Sequence, residues 1–164
     1  MKDRWLSIAF LIGIICLTVI VAWGGLACAY NPLPFEIMAG GEPTIGKGQT
    51  PILLAIRGDD PDRAVPDGLP DIAKEALRRV FAKPDPSLYI IIYDGWKATS
   101  GYQVRINSIA IRREIWNERL VVNYSVDKPD VSKKSVAEVF TYPFVIARVS
   151  NTSMRAADVI FERQ

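Results

Sequence analysis

The stretch Leu88–Ile106 constrains the fold more than any other part of the chain. Leu88 to Tyr93 is an unbroken apolar run. Asp94 to Gly101 is rich in turn-forming residues. Strict alternation follows, with Tyr102, Val104 and Ile106 on one side and Gln103, Arg105 and Asn107 on the other. This pattern predicts two strands joined by a loop with unusual backbone demands.

Further strands are expected around this pair. Ile52 to Ile56 reads as a buried strand, and Phe35 to Met38 as a short one. Ile109 and Ile111 resume the apolar phase after a one-residue slip at Ser108, which predicts a bulge. Leu120, Val122, Tyr124 and Val126 alternate with polar or smaller residues and predict another strand. Val136 to Val149 is apolar-rich, but Pro143 within it implies an edge position or a bulge. Val159 to Phe161 adds a short last strand. One helix is expected over Asp71–Ala82, capped by Asp71 and stopped by Pro84 and Pro86. Its apolar face would hold Ile72, Ala73, Ala76, Leu77, Val80 and Phe81.

Leu6 to Ala29 carries no charge and is long enough to cross a bilayer as a helix. Lys2 and Arg4 precede it, and no basic residue follows until Lys47. That asymmetry leaves the N-terminus in the cytoplasm and the rest of the chain outside the cell membrane. Three fates fit residues 1–29: a retained membrane anchor, a signal peptide cleaved after Ala27-Cys28-Ala29, or a lipoprotein signal with Cys28 lipidated. Residues 30–50 then read as an extended linker containing a glycine-rich loop, Ala39 to Gln49. Residues 51–164 read as an extracytoplasmic β-rich domain. The fold class expected is mainly β, an antiparallel sandwich or partly open barrel with one α-helix. Its core would draw on Ile52–Ile56, Leu77, Phe81, Leu88–Ile92, Val104, Ile106, Val122, Tyr124, Phe144 and Ile146.

Composition narrows the function. Lys and Arg number 20 against 18 Asp and Glu, a balance that argues against a nucleic-acid surface. The chain has no histidine, which excludes histidine acid–base catalysis, histidine-containing triads and nearly all catalytic zinc sites. Its two cysteines, Cys16 and Cys28, both lie in the N-terminal apolar segment. No cofactor and no metal is predicted, and the chain is not expected to be an enzyme.

Some motifs imitate chemistry. Gly41 to Lys47 resembles a phosphate loop, but Gly48 stands where a Ser or Thr should hold magnesium, and no helix pattern follows. Asp59, Asp60, Asp62, Asp67 and Asp71 lack the spacing of a calcium loop. Glu114 and Glu118 lie in a predicted hairpin beside Arg112, Arg113 and Arg119, which keep them ionised. They read as surface charges.

The loop after Tyr93 is the candidate contact surface, with Gly95, Trp96, Thr99, Ser100, Gly101 and Tyr102 as its binding residues. Gly95 and Gly101 allow backbone angles closed to other residues. Thr99 and Ser100 can hydrogen-bond nearby backbone. Trp96 on a loop tip offers a recognition anchor, unless it folds back over the sheet edge and Tyr102 is simply core.

At these residues the chain resembles the C-terminal domain family of the protease complex subunit PrcB. The similarity rests on Gly95, then Thr99-Ser100-Gly101-Tyr102, the Leu120–Val126 strand, Pro129 and Thr141-Tyr142-Pro143-Phe144, over residues 87–149. Ser100 replaces the first glycine of the family's paired glycines, and Phe144 its second tyrosine. The resemblance implies an extracytoplasmic, membrane-tethered, non-catalytic binding or scaffold module whose protein partner is a surface protease. Thr99 to Tyr102 is also similar to part of the loop of chagasin-type protease inhibitors, although Lys97-Ala98 stands where that family has Asn-Pro. That similarity implies the alternative, a protease inhibitor acting through the Gly95–Tyr102 loop.

Overall fold

The computed structural model describes residues 30–46, 50–60, 64–114, 116–129 and 137–164. The segment expected to cross the membrane, with Cys28, lies outside these residues, as do Asp62, Lys47 and Gly48. Among the described residues no helix is long and apolar enough to cross a membrane.

Two four-stranded sheets face each other. In chain order the elements are β1 (Tyr30–Pro32), β2 (Glu36–Gly41), β3 (Ile52–Arg57), α1 (Asp71–Val80), β4 (Leu88–Tyr93), β5 (Gln103–Arg113), β6 (Glu118–Asp127), β7 (Phe144–Val149), a 3-10 turn (Ala156–Asp158) and β8 (Val159–Arg163). One sheet has the order β1-β5-β6-β8 and the other β2-β7-β4-β3. The architecture is therefore a sandwich and not a closed barrel. Residues 30–50, read as a linker, supply β1 to the first sheet and β2 to the second.

β4 explains the layering. Its side chains alternate between two apolar layers, so all its residues are buried. Leu88, Ile90 and Ile92 meet Val104, Ile106, Ile109, Leu120, Val122 and Tyr124 of the opposite sheet. Ile91 and Tyr93 face the other way, toward Leu69, Ala73 and Leu77. Each such buried aliphatic side chain contributes about 1.5–3 kcal/mol. The unbroken apolar run thus records a strand covered on both faces.

The structure corrects several expectations. Pro143 does not mark an edge: β7 starts just after it and lies between β2 and β4. β8 pairs with β6 in parallel, an exception among the described strands to the antiparallel pairing expected of the sandwich. The chain crosses to the other sheet for β7 before returning, and so re-enters in the direction of β6. The helix ends at Val80, and its N-cap is Pro70, whose carbonyl accepts from Ala73 and Lys74 at 3.0 Å. Asp71 is the first helical residue, where its charge complements the helix dipole. Ile72 is 61% exposed, because Ala73 and Leu77 aim at the sheet and leave it on the flank. Leu53 is 42% exposed on an edge strand, and of Ile52–Ile56 only Ala55 and Ile56 are buried. β2 carries on through Ala39, Gly40 and Gly41, where a glycine-rich loop was expected.

Two expectations hold in detail. The register of β5 against β6 shifts between Ile106 and Ser108, which is the bulge. The β5–β6 hairpin pairs its carboxylates with arginines, Arg113 with Glu118 at 2.8 Å and Arg112 with Glu114 at 3.2 Å.

Candidate functional site

The segment between β4 and β5 is held on two sides. On one side it zips against residues 137–143, continuing the β4–β7 pairing. The Asp94 N–H donates to the Pro143 carbonyl at 3.1 Å. Lys97 and Thr141 exchange backbone bonds at 2.8 and 2.9 Å. The Ser100 N–H donates to the Ala137 carbonyl at 3.0 Å, and the Ala137 N–H returns a bond to Ser100 Oγ at 3.2 Å. Thr141 is buried, and its hydroxyl donates to the Thr99 carbonyl at 3.0 Å.

On the other side stands Glu42. Its Oε2 accepts from the Gly101 N–H at 2.8 Å and its Oε1 from the Tyr102 N–H at 3.1 Å. One carboxylate thus satisfies two successive backbone donors, as charge-assisted bonds. Gly101 can present its N–H this way because its φ is +95°, a conformation that side chains resist. Gly95 has φ +73° and is buried at the exit from β4.

Charge is balanced at the loop's root. Asp94 is 7% exposed, and its carboxylate meets Lys97 Nζ at 2.8 Å and Arg163 Nη1 at 3.4 Å. Lys97 Nζ also donates to the Asp94 carbonyl at 2.7 Å and stands 5.8 Å from the centre of the Tyr102 ring. The lysine therefore fixes the turn and keeps the buried carboxylate paired.

The predicted binding residues do not all face solvent. Trp96 is exposed at the turn, while Gly95 is enclosed and Thr99, Ser100 and Tyr102 are half-buried. Trp96 neither stands alone nor folds into the core. Its ring meets Phe140 edge to face, with centroids 5.2 Å apart. Phe140 is 59% exposed and Val139 is also exposed, so the two crossing segments share one apolar face.

Sequence reasoning missed Phe140 and Glu42. Phe140 lies 44 positions beyond Trp96 in an apolar-rich stretch that read as strand. Glu42 stood inside the phosphate-loop look-alike, and no local pattern ties an acid there to amides far along the chain. The one available signal was chemical: a glycine held at positive φ leaves its neighbouring donors in need of an acceptor. Among the described residues, no three or more His, Cys, Asp or Glu gather to hold a metal ion.

The ordered motifs along β4 to β7, with the glycine turns and the paired 94–102 and 137–143 segments, define the kind of module. Residues 88–150 match the PrcB C-terminal family. The PrcB C-terminal match opens on β4 and closes just after β7, so it takes in both segments of the candidate site. It covers less than half of the chain and leaves β1, β2, β3, α1 and β8 outside. Comparison with curated proteins gave no match, and comparison with solved structures gave none.

Proposed function

We propose that this chain is a non-catalytic binding module of a protease complex, tethered outside the cytoplasmic membrane. The observation that carries the reading is the apolar face of Trp96 and Phe140, exposed on a backbone that hydrogen bonds hold rigid. A preorganised aromatic pair is a suitable recognition anchor, because little ordering entropy is lost when it docks. The PrcB C-terminal match over the same segment supports a protease-associated partner.

Two features support the tether. The uncharged run Leu6–Ala29 directly precedes Tyr30, the first residue of β1. Tyr30 pairs with Arg112, so the tip of the β5–β6 hairpin extends past the Tyr30 end of β1. Trp116 on that tip is 91% exposed, a placement suited to a lipid headgroup layer.

The test uses the full chain in detergent-solubilised membranes. Wild-type protein should capture a protease-containing complex, and Trp96→Ala or Phe140→Ala should lose most of it while melting normally. Undiminished capture by both variants would remove the loop from the interface. A reporter fused after Gln164 should be active only outside the cytoplasm. Stoichiometric loss of papain-like activity on adding the chain would instead favour the inhibitor reading.

A further inference from the structure

A groove of about 490 Å³ runs along the side of the sandwich, with Ile37, Gly41, Val104, Ile106, Phe144 and Val145 among its lining. It exists because the two sheets are not closed evenly on that side. β1 covers β5 only from Ala110 to Arg112, with Leu33 adding a bond to the Ile109 carbonyl at 2.8 Å. From Gln103 to Asn107, no described strand lies on the outer side of β5. Among the described strands β2 pairs with β7 alone, so no described strand lies on its outer side either. Val104 and Ile106 are buried against the opposite sheet yet line the groove, and Ile37 on its rim is half-exposed.

One end of this groove is already a carboxylate receptor. Glu42 and Tyr102 both line it, and there the Gly101 and Tyr102 amides grip the Glu42 carboxylate. The receptor leads directly into the edge of β5, from Gln103 to Asn107, that no described strand pairs. Three recognition elements therefore follow in order: two amides for a carboxylate, a strand edge for a peptide backbone, and an apolar trough for side chains.

We propose that the groove binds the free C-terminus of a partner polypeptide ending in an apolar residue. The terminal carboxylate replaces Glu42 on the Gly101 and Tyr102 amides. The peptide runs antiparallel to β5, and its last apolar side chains enter the trough beside Ile37 and Phe144. Exchanging one carboxylate for another leaves the amide bonds equally satisfied, so affinity comes from the strand edge and the apolar contacts. Glu42 is then a tethered competitor that keeps the receptor shaped when empty of partner. This groove is distinct from the Trp96 face, and the proposal holds whether or not the partner of that face is a protease.

The test is fluorescence anisotropy with the full chain in detergent and labelled random heptapeptides ending in valine, leucine or phenylalanine. Each is made as the free acid and as the C-terminal amide. Free acids should bind, and the amides should bind at least about tenfold more weakly. Glu42→Ala should raise free-acid affinity about tenfold by removing the competitor. Should that variant fold poorly, Glu42→Gln, which keeps the shape and drops the charge, should raise affinity in the same direction. Ile37→Glu, at a half-exposed position, should abolish binding without lowering the melting temperature. Trp96→Ala should bind the peptides like wild type, which separates this result from that of the Trp96 face. Equal binding of acid and amide would overturn the proposal. So would no binding of any free acid, or self-association that Ile37→Glu abolishes in the absence of peptide binding.

Discussion

The rings of Trp96 and Phe140 meet edge to face at 5.2 Å, yet neither is buried by the rest of the fold. An aromatic pair of this geometry contributes about 0.5–1.5 kcal/mol beyond its buried area. Trp96→Ala should therefore cost about 1 kcal/mol or less in a urea melt. Its effect on partner capture should be far larger, at least about tenfold, as for an interface hot spot. A variant that loses stability and capture in equal measure would mean the pair is structural only.

Gly101 answers to a different constraint. Its φ is +95°, and a Cβ there would stand 2.7 Å from Pro129 Cβ. Gly101→Val should cost about 2–4 kcal/mol through strain and collision together. The amide bonds to Glu42 should loosen with it. Hydrogen exchange at Gly101 and Tyr102 would read this directly, and wild-type protection would contradict it.

Buried Tyr89 and half-buried Asp85 set a pH window. Burial, then the hydrogen bond to Asp85, pushes the Tyr89 phenol up to about 12. Its contribution is complete below its ordinary value near 10 and is lost as pH climbs from there to about 12. Tyr93, also raised to about 12 by burial, adds to the same alkaline loss. Asp85 moves the other way: the Tyr89 hydroxyl, with Ser87, holds it below 3.8. Its contribution is present above that value and disappears as pH falls through the lowered one. Urea midpoints measured from pH 3 to 12 should fall at both ends. Tyr89→Phe should reduce both losses, and an unchanged profile would assign them elsewhere.

The helix separates two residues that look alike in sequence. Leu77 is fully buried against the sheet, and Leu77→Ala should cost about 3–5 kcal/mol. Ile72→Ala, on the exposed flank, should change stability by about 0.5 kcal/mol or less. Thermal melts of the two variants check the helix orientation.

Much of the β framework was legible because it rests on local patterning. Side chains alternate across a strand whatever the fold, so Leu88–Tyr93, Gln103–Ile106 and Leu120–Val126 announced themselves, and a broken phase at Ser108 could only be a slip in register. The helix was visible for the same reason, from spacing and prolines. Which of its apolar residues would be covered was not, since Ile72 and Leu77 differ only in what lies opposite them. The Gly95–Tyr102 loop could be located from its glycines, but not its partners. Glu42 comes from 59 residues earlier and Thr141 from 42 residues after Thr99, and no periodicity spans such distances.

Sequence by itself determined the strand-rich body, the helix that starts at Asp71, the bulge and the position of the glycine corner, because these follow from side-chain alternation and backbone permissions within a few residues. Tertiary structure alone decided that Pro143 precedes an interior strand, that β8 runs parallel to β6, and that Tyr30–Pro32 and Glu36–Gly41 belong to opposite sheets. It also decided that Phe140 meets Trp96 edge to face and that Glu42 lines one end of the groove beside β5. Each of these depends on which remote segments share a surface, and that choice is made by the packing of the whole chain.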